Sequence, residues 1–234
     1  MKSFAVEELP AAAPYSREVF DQLGMRGINC GCGRFLRPDC LNVDQLEMAD
    51  GAGNTPQPGR LARVLVDGET VYYMRHDLEN AFPLPDAAFD WGYSEHFIEH
   101  ISPEQAIDWL AEMRRVIKPG GLLRLTTPDL QKYIEGYLDP AGAFFALHKQ
   151  RLEASTGNKG SVAPRRAWMV NQIFRYFGHQ WIYDFDEIIH AAASAGFDRA
   201  RIFREEFQSG LLENVAMLDF AERNDETLYV ELMV

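Results

Sequence analysis

Cysteine, cationic residues and long apolar runs are all scarce in this 234-residue sequence. Its three cysteines, Cys30, Cys32 and Cys40, are clustered and odd in number. Such a trio is no disulfide framework, and a thiolate metal site needs a fourth ligand and other spacing; a reducing compartment and no metal are expected. Only 23 Lys and Arg stand against 35 Asp and Glu, a net charge of −12. A surface of that sign repels phosphate backbones, so nucleic acid is an unlikely partner. No apolar run approaches the ~18–20 residues of a membrane-spanning helix, and none follows Lys2 as in a secretory leader. No membrane association and a cytoplasmic location are the expectation. Repeats and low-complexity tracts are missing as well.

What is present is a chain with 47% hydrophobic and 25% charged residues, enough apolar surface to offset the entropy of ordering a core. One domain over residues 1–234 is expected. Short β-type runs alternate with helical patterns, which points to an α/β sheet. Tyr15, Val19, Phe20 and Leu23 have helical spacing, ended by Gly24. Residues 27–30 read as a buried strand entering a glycine turn, and 40–44 as a second strand ending in a carboxylate. Residues 50–60 are loop-like in composition. Residues 62–66 and 70–74 flank Asp67-Gly68, as a hairpin or as an elaborated third strand. Residues 89–93 are strand-like. An amphipathic helix over 103–117 carries Ala106, Trp109, Leu110, Met113 and Ile117 on one face, with Ser102 as its cap and Pro103 at its first position. Residues 118–121 stop it, and 122–126 form the next strand. The rhythm breaks over 130–180, where added helices and a loop around 155–164 are expected. A helix over 184–195 and strands over 201–207 and 227–234 close the chain.

Gly31 and Gly33 let backbone N–H groups approach a ligand closely, and Asp44 ends the next strand where a carboxylate can accept from both hydroxyls of a ribose. Taken alone, the glycine pair also fits an ordinary tight turn. Asp77-Leu78 offers a carboxylate for an adenine amino group and an apolar face for its ring, or else a turn cap.

In this order, the turn from Asn29 to Gly33, Asn42-Val43-Asp44, Asp77-Leu78, Phe89-Asp90, Glu99-His100-Ile101 and the run from Ile117 to Gly121 resemble the motifs of class I S-adenosylmethionine-dependent methyltransferases. Small, mostly uncharacterised bacterial members are the nearest in pattern. The resemblance spans residues 27–127, and Gly196-Phe197 with the last two strands extends it. It implies a Rossmann-like, seven-stranded, mostly parallel sheet with helices on both faces, and a helical acceptor-site insertion over 130–180. It implies S-adenosylmethionine as cofactor, held by Asn29, Gly31, Cys32, Gly33, Asp44, Gln45, Asp77, Leu78 and Ser94. Two positions depart from the pattern: Asn29 stands where the family usually carries an acid, and Phe35 where it carries a third glycine. Residues 34–38 are too few for a full first helix, which weakens the helix-terminus contribution to cofactor binding.

The acceptor is expected over the fourth and fifth strands. Glu95 and His96 lie there; His96 is a general base, its imidazole titrating near neutrality, or a hydrogen-bonded structural histidine. Between residues 145 and 180, Lys149, Arg151, Lys159, Arg165, Arg166 and Arg175 oppose Glu153 alone, a local +5 against −17 elsewhere. That charge predicts a lid in which Arg165 and Arg166 pair with an anion and Trp168 stacks on a ring, or a solvated helical face. His179, a second catalytic candidate, and Tyr183 complete the expected acceptor pocket. A small anionic or sugar-containing acceptor outranks a polymer, and the aromatics of 168–185 would equally serve a homodimer. Two other readings stand beside this one. A methyltransferase-like protein that binds without transferring is kept open by Asn29 and the short first helix. His96, Glu99 and His100 also fit the inverted zinc-protease pattern, two histidines on one helical face with Glu99 as base.

Overall fold

A computed structural model describes residues 4–10, 13–157, 160, 162–163 and 165–234. Five parallel strands form the centre of the sheet: β2 (Gly27–Cys30), β3 (Cys40–Asp44), β5 (Glu69–Arg75), β6 (Phe89–Glu95) and β7 (Ile117–Pro128). Their spatial order is β5-β3-β2-β6-β7. Among these five, the chain therefore starts in the middle at β2, builds outward to β5, then returns to β2's other side. The strand order reverses between β2 and β6, where open α/β sheets bind their ligands.

Beyond β7 lie β9 (Thr227–Met233) and β8 (Ile202–Glu205), with β9 antiparallel to both neighbours. These seven strands have the arrangement that the resemblance implies, but the sheet has nine. Residues 62–66 and 70–74 do pair as a hairpin: β4 (Leu61–Val66) runs antiparallel to β5 around Asp67 and Gly68, both at positive φ, as a two-residue primed turn requires. β1 (Phe4–Glu8), which the sequence reading left unassigned, adds antiparallel to β4 as the edge.

Helices cover the two faces unequally. Against one face pack α1 (Arg17–Gln22), α2 (Pro103–Val116) and α6 (Phe185–Ser194), whose Phe20, Trp109, Leu110, Met113 and Ile188 join Ile28, Val43 and Leu125 in the main core. The cap of α2 is reciprocal: Ser102 accepts from the Gln105 backbone, and the Gln105 side chain accepts from the Ser102 N–H. Among the described residues, the other face has the single turn α7 (Glu213–Ala216) and irregular chain, packed on Trp91, Tyr93 and Tyr73. Residues 130–175 form α3 (Leu130–Leu138), α4 (Ala143–Thr156) and α5 (Arg166–Arg175) around an apolar cluster of their own that includes Tyr133, Met169 and Ile173. Lys159 and parts of the expected 155–164 loop lie outside the described residues. Among the described residues no helix is long and apolar enough to cross a membrane.

Candidate functional site

The carboxyl ends of β2, β3, β5, β6 and β7 open into three adjoining hollows. The first, about 290 Å³, lies beside Asp44, Gln45, Asp77 and Leu78. The second, about 120 Å³, lies over the glycine turn and is lined by Asn29, Gly31, Cys32, Gly33 and Glu95. The third, about 450 Å³, opens toward α4 and α5. Gly31 and His96 line both of the first two, and His96 borders the third as well. One groove thus runs across the switch point, with His96 at the junction.

The glycine turn is built for close approach. Gly31 has φ +67°, and a Cβ there would fall 2.6 Å from that of Phe97; no other residue fits. Asp44 receives the Gly33 N–H at 2.8 Å and the Leu46 N–H at 2.8 Å, which fixes its carboxylate at the rim. Asn29 donates to Asn42 Oδ1 at 2.9 Å and to the Phe35 carbonyl at 3.2 Å. Its amide therefore ties β2 to β3 and to the loop that stands where a first helix would run. Glu95, expected on the acceptor side, lines the glycine-turn hollow instead. Burial raises its carboxyl above the usual range, while Tyr93 donates to it at 3.1 Å. Among the cofactor candidates, Ser94 alone lies away from the groove: it is fully buried with Oγ unpartnered, because alternation along β6 turns its side chain toward the α2 face.

His96 follows β6 with φ +49°, an uncommon conformation outside glycine that marks a constrained position. Its N–H donates to the Thr126 carbonyl at 2.9 Å. Nε2 lies 2.9 Å from Thr227 Oγ1, whose own proton goes to the Arg223 carbonyl at 2.6 Å. The Thr227 oxygen is therefore the acceptor, Nε2 carries the proton, and Nδ1 is left unprotonated, 3.4 Å from Glu99 Oε1. Burial, then the charges of Arg223, His179 and His100, keeps the ring well below its ordinary titration range. The ring is neutral at physiological pH. The helical zinc pattern does not form: residues 98–100 are a single 3₁₀ turn, and His96 stands before it at the strand end, so His96 and His100 do not share a helical face.

The third hollow gathers His96, Glu99, His100, His148, Arg151, His179, Arg223 and Glu226. His179 is where the sequence reading expects it, with Nδ1 2.6 Å from the Ile173 carbonyl. Four other expectations are corrected. Arg166 points away and donates to the Tyr137 and Pro140 carbonyls, fastening α5 to the end of α3. Arg165 occupies the cap position of α5. Trp168 packs edge-on against Tyr176. Tyr183 is 1% exposed and belongs to the main core, held there by the pairing of its backbone with Asp129. None of the four lines the hollow. The cations that do are Arg151 from α4 and Arg223. Arg151 bonds to Asp225 and the Ala221 carbonyl, whereas the Arg223 guanidinium has no hydrogen-bond or ion-pair partner among the described residues. Arg223, Asp225 and Glu226 escaped the sequence reading, although one signal points to them. β9 runs antiparallel to β7, so the residues just before it return to the end of the sheet where the parallel strands finish.

Residues 28–125 match a family described as a methyltransferase domain. No curated protein sequence matches the chain. Among solved structures, it is similar to an S-adenosylmethionine-dependent methyltransferase from Mesorhizobium loti, at 18% identity and a TM-score of 0.50, over 94% of this chain and 98% of that one. A methyltransferase from Archaeoglobus fulgidus is similar at 16% identity and a TM-score of 0.45, over 94% and 95% of the two chains. The domain match covers residues 28–125, fewer than half of the chain, and the likeness to the Mesorhizobium loti structure is one of fold.

Proposed function

We propose that the chain methylates a small anionic acceptor held in the 450 Å³ hollow, with the cofactor laid along the other two. The supporting observation is the continuity of the three hollows at His96. The adenosine half fits Asp44, Gln45, Asp77 and Leu78, and the methionine half fits the glycine turn. Glu95, facing that turn, supplies the negative charge that Asn29 lacks for the methionine ammonium.

Methyl transfer needs the acceptor atom in line with the methyl–sulfur bond, and alignment in a water-poor cleft supplies much of the rate. His179 gives its Nδ1 proton to the Ile173 carbonyl, which leaves the Nε2 lone pair for the cleft. Burial lowers its titration range, so at neutral pH it accepts the acceptor's proton. His96 positions rather than reacts, because its Nε2 proton goes to Thr227 and its Nδ1 is turned toward Glu99, 3.4 Å away. Arg223 borders both the glycine-turn hollow and the acceptor hollow, and its unpaired guanidinium suits a carboxylate or phosphate on the acceptor.

A metabolite extract screened for S-adenosylhomocysteine release and a mass gain of about 14 Da, one CH₂ per transfer, identifies the acceptor. Arg223→Gln is then expected to raise the acceptor KM at least about tenfold, the loss of one charge-assisted hydrogen bond, with calorimetric S-adenosylmethionine affinity unchanged. Loss of cofactor affinity instead would assign Arg223 to the methionine carboxylate and end its role as acceptor anchor.

A further inference from the structure

Glu99, His100 and His179 each present a ligand atom, and these atoms lie within 4.8 Å of one another. All three border the acceptor hollow. A lone proton acceptor needs no such convergence. From it we propose that the three residues form a binding site for a divalent transition-metal cation, of the zinc class, open to the acceptor.

The chemistry of the set is appropriate. Two imidazoles and a carboxylate are the ligands of open zinc sites, which leave a fourth position for water or substrate. The ligands are also held in place from behind, as metal-binding side chains usually are. His179 Nδ1 is engaged by the Ile173 carbonyl and the His100 ring by the Gly178 backbone, so each keeps one nitrogen for a ligand. Thr127 Oγ1 donates to Glu99 Oε2 at 3.1 Å, while Oε1 makes no hydrogen bond although the residue is fully buried. An unsatisfied carboxylate oxygen in such a position is costly unless something completes it.

The two segments are joined at this point. Gln180 N and Trp181 N both donate to the Glu99 carbonyl, and the Gln180 side chain donates to the His100 carbonyl. Residue 179 is thereby held beside 99 and 100. Ligands about 2.1 Å from one tetrahedral ion stand about 3.4 Å apart, so rotation of the partly exposed imidazoles closes the set without moving the backbone. Arg223 and Arg151 share the hollow and oppose a further cation, but Glu222, Asp225 and Glu226 in the same lining offset them.

For its role, the inference rests on the proposed transfer reaction: the cation would bind an acceptor oxygen and lower its proton affinity, taking over that task from His179. The binding itself does not depend on that reading, and is tested without substrate. The full chain, treated with EDTA and desalted, is titrated with Zn²⁺ by calorimetry, and the loaded protein is examined by zinc X-ray absorption. One equivalent should bind, with two imidazoles and only light-atom scatterers besides. His179→Ala and Glu99→Gln should weaken binding about 100-fold or more, His179→Asp should keep a ligand and most of the affinity, and His190→Ala, an exposed histidine elsewhere, should change nothing. Failure to take up one equivalent, sulfur scattering from the cysteines, or full affinity in His179→Ala would overturn the site. The X-ray absorption result stands even if a variant fails to fold. Methyl transfer that continues in EDTA while metal binding fails would remove the metal and leave the transfer reading intact.

Discussion

Two buried polar clusters lie on opposite faces of β7, three residues apart, and only one of them is complete. Arg124, fully buried, uses both edges of its guanidinium: Nε and one terminal nitrogen donate to Asp219 at 2.7 and 2.6 Å, and the other donates to Glu231 at 2.9 Å. The Ser209 and Glu206 carbonyls take the remaining protons. The carboxylates are completed by the backbone N–H groups of Gln208 and Leu211. Gly210 is part of this closure, since a Cβ there would sit 2.1 Å from Glu231 Oε1. The cluster at Thr127 and Glu99 has one hydrogen bond to the carboxyl, an oxygen without one, and three neutral imidazoles around it. A satisfied network fastens irregular chain to the bare face of the sheet. An unsatisfied one that opens on a cleft retains capacity for a ligand.

That contrast predicts effects of very different size. Arg124→Met leaves two carboxylates buried without their cation and should cost about 3–5 kcal/mol in urea unfolding. Converting Asp219 and Glu231 to Leu in the same chain should recover most of it, because an apolar replacement of the whole triad removes the uncompensated charge. Full stability in Arg124→Met alone would show that the two clusters do not differ as described. A finer comparison uses the same chemical change on both sides. Asp219→Asn places an amide against the guanidinium and should cost about 2–3 kcal/mol, a charged hydrogen-bond pair lost. Glu99→Gln, whose Oε1 faces no donor, should change the unfolding midpoint by less than the equivalent of about 1 kcal/mol. Equal losses in the two variants would mean that Glu99 is as firmly committed as Asp219.

The parts that sequence revealed are those whose meaning is local. The glycine turn, Asp44 and Asp77-Leu78 each sit at a strand end, and strand ends follow from short apolar runs. The hairpin at Asp67-Gly68 and the cap at Ser102 are likewise made by neighbours. Arg124 reads as one charge in an apolar strand, because Asp219 lies 95 residues away and Glu231 lies 107 away. The 450 Å³ hollow draws on α4, the 3₁₀ turn at 98–100 and the segment before β9, which no spacing connects. Charge counting over residues 145–180 treated neighbours in sequence as neighbours in space. Of the arginines it grouped, Arg151 reaches the hollow, while Arg166 is spent on carbonyls at the end of α3. β1 was missed because an edge strand of five residues carries little pattern, and its pairing with β4 rather than its own sequence makes it a strand.

The smallest expected effect lies at the rim, where the hollow is as well paired as the Arg124 cluster. His148 Nδ1 sits 2.8 Å from Asp225, and Tyr133 lies 2.9 Å from its other nitrogen. Burial raises the Asp225 carboxyl, but the His148 hydrogen bond and charge, with that of Arg151, outweigh it and hold the group below the usual range. A carboxylate lowered in the folded state contributes stability above the ordinary aspartate value of about 4, and loses that contribution as pH falls through the lowered folded value. His148→Gln removes the larger of the two opposing partners and should cost about 1 kcal/mol near neutral pH. Its unfolding midpoint should then converge on that of the wild type as the pH falls through the lowered wild-type value, below which Asp225 is protonated in both. A gap that stays constant over the whole range would show that His148 contributes packing alone. The paired rim would then hold the hollow open by shape.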